Sequence, residues 1–311
     1  MAKFHCSVAS DQRGEPIFAT ASQVRRWLLV EIRGSWGRDA VMNTDLGRHV
    51  SDEWRDRMRK ERIRVVAIRR DLEIGGHPLV RLFSVESGSG PWRSGRVWRR
   101  DIAGLHAVPH ATAALPHGSG EGEGEGEGEA PDWIPHVDPL VLVCTNGRHD
   151  SCCATFGRPV IRALRSSAHA ASVWECSHIG GDRFAGNVVI LPDGLYFGRC
   201  SAESGVGVVD AYIRGELALT HYRGRSALHY MHQAAEYFAR RELGASAIDA
   251  VTAVHRVGDS AAGRFDVDVA GTGTVRVTVR RRVGAAPSAL TCTGPTDVTM
   301  PSYELVEIHA N

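Results

Sequence analysis

The sequence predicts an α/β protein with a β-rich tail. A strand–helix–strand–strand order precedes a Gly/Glu run at residues 118–132 and recurs after it. Beyond residue 250 apolar residues alternate with period two, as half-buried strands require.

In the first half, residues 26–32 (RWLLVEI) read as a buried strand, followed by a turn from Gly34 to Gly37. Ser51 is placed to cap a helix through SDEWRDRMRKER. Residues 63–68 and 79–85 then read as strands, with Gly75, Gly76 and Pro78 marking the turn between them.

The run GSGEGEGEGEGEAPD has no apolar surface to bury and its like charges repel, so it is expected to be an extended linker. After it, residues 139–144 (PLVLVC) are predicted to form a short strand. A helix is expected over 159–167, with Pro159 at its first position. SVWEC (172–176) is a further strand. NVVILP (187–192) and LYFGRC (195–200) make a hairpin around Asp193 and Gly194. Helices are expected from Gly207 to Leu219 and over 226–242. Leu228, Met231, Ala235 and Phe238 share a core-facing stripe on the second. RFDVDV and TVRVTVRRR form an appended sheet around a Gly-rich turn. The expected division is an N-terminal α/β domain over 1–115, a linker over 116–134, a second α/β domain over 135–245 and a β-rich extension over 246–311. The shared element order suggests one architecture used twice.

The bulk composition, 43% hydrophobic and 23% charged in 311 residues, is that of an ordinary globular chain. A formal net charge of +1 argues against a dedicated nucleic-acid binder. Residues 1–110 carry 20 basic and 13 acidic side chains, a difference of +7, read as a solvated surface balanced by the acidic linker. The first residues lack a cationic start with an apolar core, and no apolar run suggests a membrane span. The expected compartment is the cytoplasm, where thiols stay reduced. Seven cysteines there read as metal-binding or redox rather than as a disulfide framework.

The chemistry is concentrated between CTNGRHDSCC (144–153) and HIGGDRFAGN (178–187). Cys144, Cys152, Cys153, Cys176 and His178 are soft or borderline ligands, with Asp182 just beyond, and thiolate with imidazole selects zinc or iron–sulfur centres over hard cations. Cys144 ends a strand. The loop after it is expected to return Cys152 and Cys153, of which one faces the metal and the other packs. Gly180 and Gly181 permit the positive φ of a second loop that presents His178 and Asp182. Two loops at one end of neighbouring strands would converge these groups on zinc or a [2Fe–2S] centre. The eight-residue gap is long for a zinc knuckle. Other motifs are weak: residues 205–210 (GVGVVD) lack the third glycine of a dinucleotide loop, and His229 and His232 lack the zincin pattern.

The pattern C-x₈-C followed by H-x-G-G-x-x-x-A-G-N, here Cys144, Cys153 and the run His178, Gly180, Gly181, Ala185, Gly186, Asn187, resembles the sucrase/ferredoxin-like family. The resemblance implies a thioredoxin-like ferredoxin domain over 135–245, preceded by a related α+β N-terminal domain and followed by a small β-rich C-terminal extension. It implies an electron-transfer protein with a [2Fe–2S] cluster and a redox protein as partner; the charge and the lack of an apolar run argue for neither a nucleic-acid nor a membrane partner. Cys144 and Cys153 match the family's two cysteines and His178 its first histidine. Asp182 stands where characterised relatives carry a second histidine. The fourth ligand is open between Asp182, Cys176 and Cys152, and structural zinc or thioredoxin-like thiol chemistry are the alternative readings. Arg148, Arg183 and Arg199 are candidates for hydrogen bonds near the sulfurs. No carboxylate pair suits the glycoside hydrolysis that the family's name evokes, and no catalytic residue is assigned.

Overall fold

The computed structural model describes residues 4–70, 79–88, 94–117, 132–258, 263–283 and 288–310. The expected turn at Gly75, Gly76 and Pro78 lies outside these residues, as does the linker run except Asp132. The first half contains α1 (Cys6–Gln12), β1 (Arg26–Glu31), α2 (Asp52–Lys60), β2 (Ile63–Arg69), β3 (Val80–Glu86), β4 (Arg96–Ile102) and α3 (Val108–Ala111). The second contains β5 (Ile134–Pro135), β6 (Leu140–Cys144), α4 (Ser151–Arg165), β7 (Val173–Cys176), β8 (Val188–Leu191), β9 (Leu195–Phe197), α5 (Ala202–Ile213), β10 (Tyr222–Arg225) and α6 (Tyr230–Leu243). The tail adds β11 (Val251–Val257), β12 (Gly263–Val269), β13 (Gly273–Arg282) and β14 (Ser302–Ala310).

Both halves contribute to one mixed ten-stranded sheet in the order β10-β9-β8-β6-β7-β2-β1-β3-β4-β5. In the first half β1 pairs parallel with β2 and antiparallel with β3, which pairs antiparallel with β4. The second half repeats this: β6 is parallel to β7 and antiparallel to β8, which is antiparallel to β9. This four-strand order therefore occurs twice. The copies meet where β2 and β7 pair antiparallel, Ile68 opposite Cys176 and Arg69 opposite Glu175.

Alternation along the central strands divides the core. Trp27 and Leu29 of β1 pack with Leu142 and Cys144 of β6 in a cluster that spans both halves. Leu28 and Val30 face Trp54 and Met58 of α2, while Val141 and Val143 face Val160 and Leu164 of α4. The tail is a separate antiparallel sheet, β11-β12-β13-β14. Its apolar face receives Ala234, Ala235, Phe238 and Ala239 of α6.

Helix boundaries follow their caps. The Ser51 hydroxyl accepts a bond from Trp54 N–H at 3.2 Å, as expected, with acids in the first turn and bases in the last. The helix expected to begin at Pro159 instead begins at Ser151, because the Asp150 side chain accepts from Cys152 N–H and caps it there; Pro159 sits inside the helix. The loop after Cys144 is correspondingly shorter, and both Cys152 and Cys153 lie in the first helical turn. The helix expected from Gly207 starts earlier, where Ser201 and Ser204 form a reciprocal capping box. It therefore encloses residues 205–210 and leaves no phosphate-binding loop. The helix expected from residue 226 starts at Tyr230 and ends at Gly244, whose φ of 63° suits a left-handed cap.

Candidate metal centre

Parallel pairing of β6 and β7 sets Cys144 opposite Cys176, so the loops that follow the two strands leave the same end of the sheet. The first leads to Cys153. Helix α4 passes so close over the end of β6 that a Cβ at Gly157 would stand 2.1 Å from the Cys144 carbonyl oxygen. The second presents His178 and Asp182. Gly180 and Gly181 take φ of 96° and 83° there, as a tight return of the chain requires. Arg223, fully buried, braces this loop by donating to Gly180 O at 3.0 Å and to Asn187 Oδ1 at 2.8 Å. The Asn187 amide donates in turn to Gly181 O at 2.8 Å.

The four sequence candidates are joined by a chain of pairwise contacts. The Cys153 thiol contacts that of Cys144 and lies 3.1 Å from Asp182 Oδ1. The same oxygen is 2.9 Å from His178 Nδ1. That nitrogen is buried and lacks a hydrogen-bond partner among the described residues, so it is close to Asp182 but out of line for a bond. Cys144, Cys153 and Asp182 are buried, whereas 29% of the His178 side chain is exposed.

His149 is a member of the group that the sequence analysis did not single out. Its ring stacks on His178 with centroids 3.7 Å apart, and its Nε2 is 3.7 Å from Asp182 Oδ2. His149, His178 and Asp182 each offer a donor atom within 4.8 Å of the other two. The available signal was its place in the loop between Cys144 and Cys153. Both imidazoles line a cavity of about 420 Å³ whose other wall includes residues 38–41 and Asn43 of the first half. Cys176 lies behind the site, fully buried beside Cys144. Cys152 points elsewhere. Arg183 and Arg199 serve the N-terminal segment, donating to Glu15 Oε1 at 2.6 Å and to Glu15 O at 2.8 Å.

The electrostatics favour a cation. Contact with Cys144, burial and the Asp182 charge push the Cys153 thiol well above its ordinary 9.0. Burial pushes the Asp182 carboxyl up, but the nearby His178 imidazole and Cys153 thiol outweigh it and hold it below 3.8. Burial, then the proximity of His178, lowers His149. A carboxylate beside two inward-facing thiols is an anionic pocket that a bound cation would neutralise. The His178 Nδ1 lies beside the same carboxylate. Donor types, burial and orphaned nitrogen together suit a thiolate–imidazole metal centre.

Over 98 residues the chain is 33% identical to altered inheritance of mitochondria protein 32 of Meyerozyma guilliermondii, an alignment covering 28% of this chain and 34% of that protein. The chain thus spans about a third of that relative's length. A thioredoxin-like [2Fe–2S] ferredoxin from Aquifex aeolicus aligns at 17% identity with a TM-score of 0.26, covering 29% of this chain and 94% of that one. The model of the sucrase/ferredoxin-like family matches residues 17–224, more than half of the sequence, and the chain belongs to that family.

Proposed function

We propose that this protein is an electron-transfer protein that holds a [2Fe–2S] cluster through Cys144, Cys153, His178 and Asp182. The observation that carries the reading is the chain of contacts among the end of β6, the first turn of α4 and the segment after β7, with Asp182 Oδ1 at 2.9 Å from His178 Nδ1 and 3.1 Å from Cys153 Sγ. When bound, the cluster would supply a reversible one-electron couple. Cys144 and Cys153 would supply the buried anionic sulfurs, with Cys153 releasing its proton to bind. His178 would be the neutral ligand nearest solvent, facing the cavity it shares with His149. Arg223 and Asn187 would fix the second loop so that its ligands keep their spacing. The partner is expected to be another redox protein that reaches the His178 edge. No helix among the described residues is long and apolar enough to cross a membrane.

A second reading is supported by the same close contacts: a single zinc ion held by these four donors. Anaerobic purification with iron and acid-labile sulfide analysis, together with EPR of the reduced protein, separates the two. Equal iron and sulfide with a rhombic signal on reduction supports the cluster. A colourless protein with stoichiometric zinc that requires Cys144 and Cys153 overturns it.

A further inference from the structure

Three of the seven cysteines meet at a second locus. Cys6 opens α1, Cys152 lies in the first turn of α4, and Cys292 follows β13 in the tail. The Sγ atoms form a triangle with edges of 3.7 Å for Cys6–Cys152, 3.3 Å for Cys152–Cys292 and 3.7 Å for Cys6–Cys292. Both carboxylate oxygens of Asp150 stand 3.9 Å from Cys6 Sγ. One donor atom from each of these four residues lies within 4.8 Å of the other three. His5 Nδ1 borders the group, 3.5 Å from Cys152 Sγ.

The distances match the chemistry of a thiolate-rich cation site. Bonded sulfurs would be about 2.05 Å apart, so no pair is a disulfide. Metal–sulfur bonds of about 2.3 Å in a tetrahedral site place sulfurs about 3.8 Å apart, within a few tenths of two edges of this triangle. The three thiols also pack against Ala185 and Phe156, but apolar packing gives no reason to place a carboxylate among them. Asp150 is positioned by its own bonds, accepting from Cys152 N–H at 2.8 Å and Cys292 N–H at 2.6 Å. Each of its oxygens keeps a lone pair. The adjacent Cys153 turns towards Asp182, so the two sites share no ligand.

We propose that Cys6, Cys152, Cys292 and Asp150 form a second metal site of the zinc class, which clamps the N-terminal helix and the tail onto the start of α4. Soft sulfur donors select zinc over magnesium or calcium. Binding would release whatever thiol protons the free site still holds.

The test uses the full chain, purified anaerobically, reduced and stripped of metal. It is titrated with Zn²⁺ alone, and with Co²⁺ to read sulfur-to-metal charge-transfer absorption. The Cys144→Ser/Cys153→Ser double variant is expected to keep one equivalent and a strong charge-transfer band, whatever the first site holds. Adding Cys292→Ser or Cys6→Ser to it is expected to remove both. Zn²⁺ is also expected to slow alkylation of Cys292 at least tenfold in the double variant, a reading that needs no further substitution. Equal stoichiometry with and without Cys6 and Cys292, an unchanged alkylation rate, or a Cys152–Cys292 disulfide in the reduced preparation would overturn the proposal.

Discussion

Cys152 and Cys153 are neighbours in sequence but face different partners: Cys153 Sγ lies 3.1 Å from Asp182 Oδ1, and Cys152 Sγ lies 3.3 Å from Cys292 Sγ. Successive residues of a helix are turned about 100° from one another, so the first turn of α4 can serve two sites at once. Cys153→Ser should therefore abolish iron binding, while Cys152→Ser should leave the iron content unchanged and loosen the tail. Iron analysis and limited proteolysis of the two variants measure this. Equal loss of iron in both would contradict the division.

Asp182 sets the expected redox behaviour. Neutral imidazole in place of an anionic ligand lowers the negative charge on a cluster and raises its potential. A carboxylate at that position restores the charge and is a harder ligand. Asp182→His should raise the midpoint potential in a redox titration. A fall, or no change, would remove Asp182 from the ligand set.

Glu236 is the centre of a buried ion network between α6 and β10. Its Oε1 accepts from Arg240 Nε at 3.1 Å and lies 3.6 Å from Arg225, with all three side chains no more than 1% exposed. Burial pushes the carboxyl up, but Arg225 and Arg240 outweigh it and hold it below the ordinary 4.5. The unfolded chain therefore takes up a proton before the folded one does. The stabilisation is present above the ordinary carboxyl value and is lost as pH falls through the lower, folded value. Glu236→Ala leaves two buried guanidinium groups without their carboxylate and should destabilise by about 3–5 kcal/mol. Denaturant unfolding should show the wild type losing stability below about pH 4.5 more steeply than the variant; parallel curves would refute the network's role.

Much of this arrangement could be read from residue type and spacing. Period-two alternation located the tail strands, Ser51 located the start of α2, and C-x₈-C with the glycine-rich second loop located Cys144, Cys153, His178 and Asp182. What escaped were features that depend on distant contacts. Pro159 reads locally as a helix start, but the cap formed by Asp150 prevails over it. His149 has no partner nearby in sequence, and only the pairing of β6 with β7 stacks it on His178. Cys6 and Cys292 are 286 positions apart, so no spacing rule joins them. The twofold use of one strand order was visible as a recurrence of elements, whereas the β2–β7 junction between the copies was not.

Gly157 links packing to the candidate metal site. In a helix its φ is ordinary, so the reason for glycine is space: a Cβ would stand 2.1 Å from the carbonyl oxygen of Cys144, and backbone cannot swing aside as a side chain can. Gly157→Ala must push α4 away from the end of β6, and Cys153 moves with it. Overpacking of this kind costs about 1–3 kcal/mol. The first metal site should suffer more than the fold, since its ligands sit on the two elements driven apart. Metal content measured under conditions where circular dichroism still reports a folded protein isolates that effect. A fully loaded Gly157→Ala protein would mean that the spacing of Cys144 and Cys153 is not set by this contact.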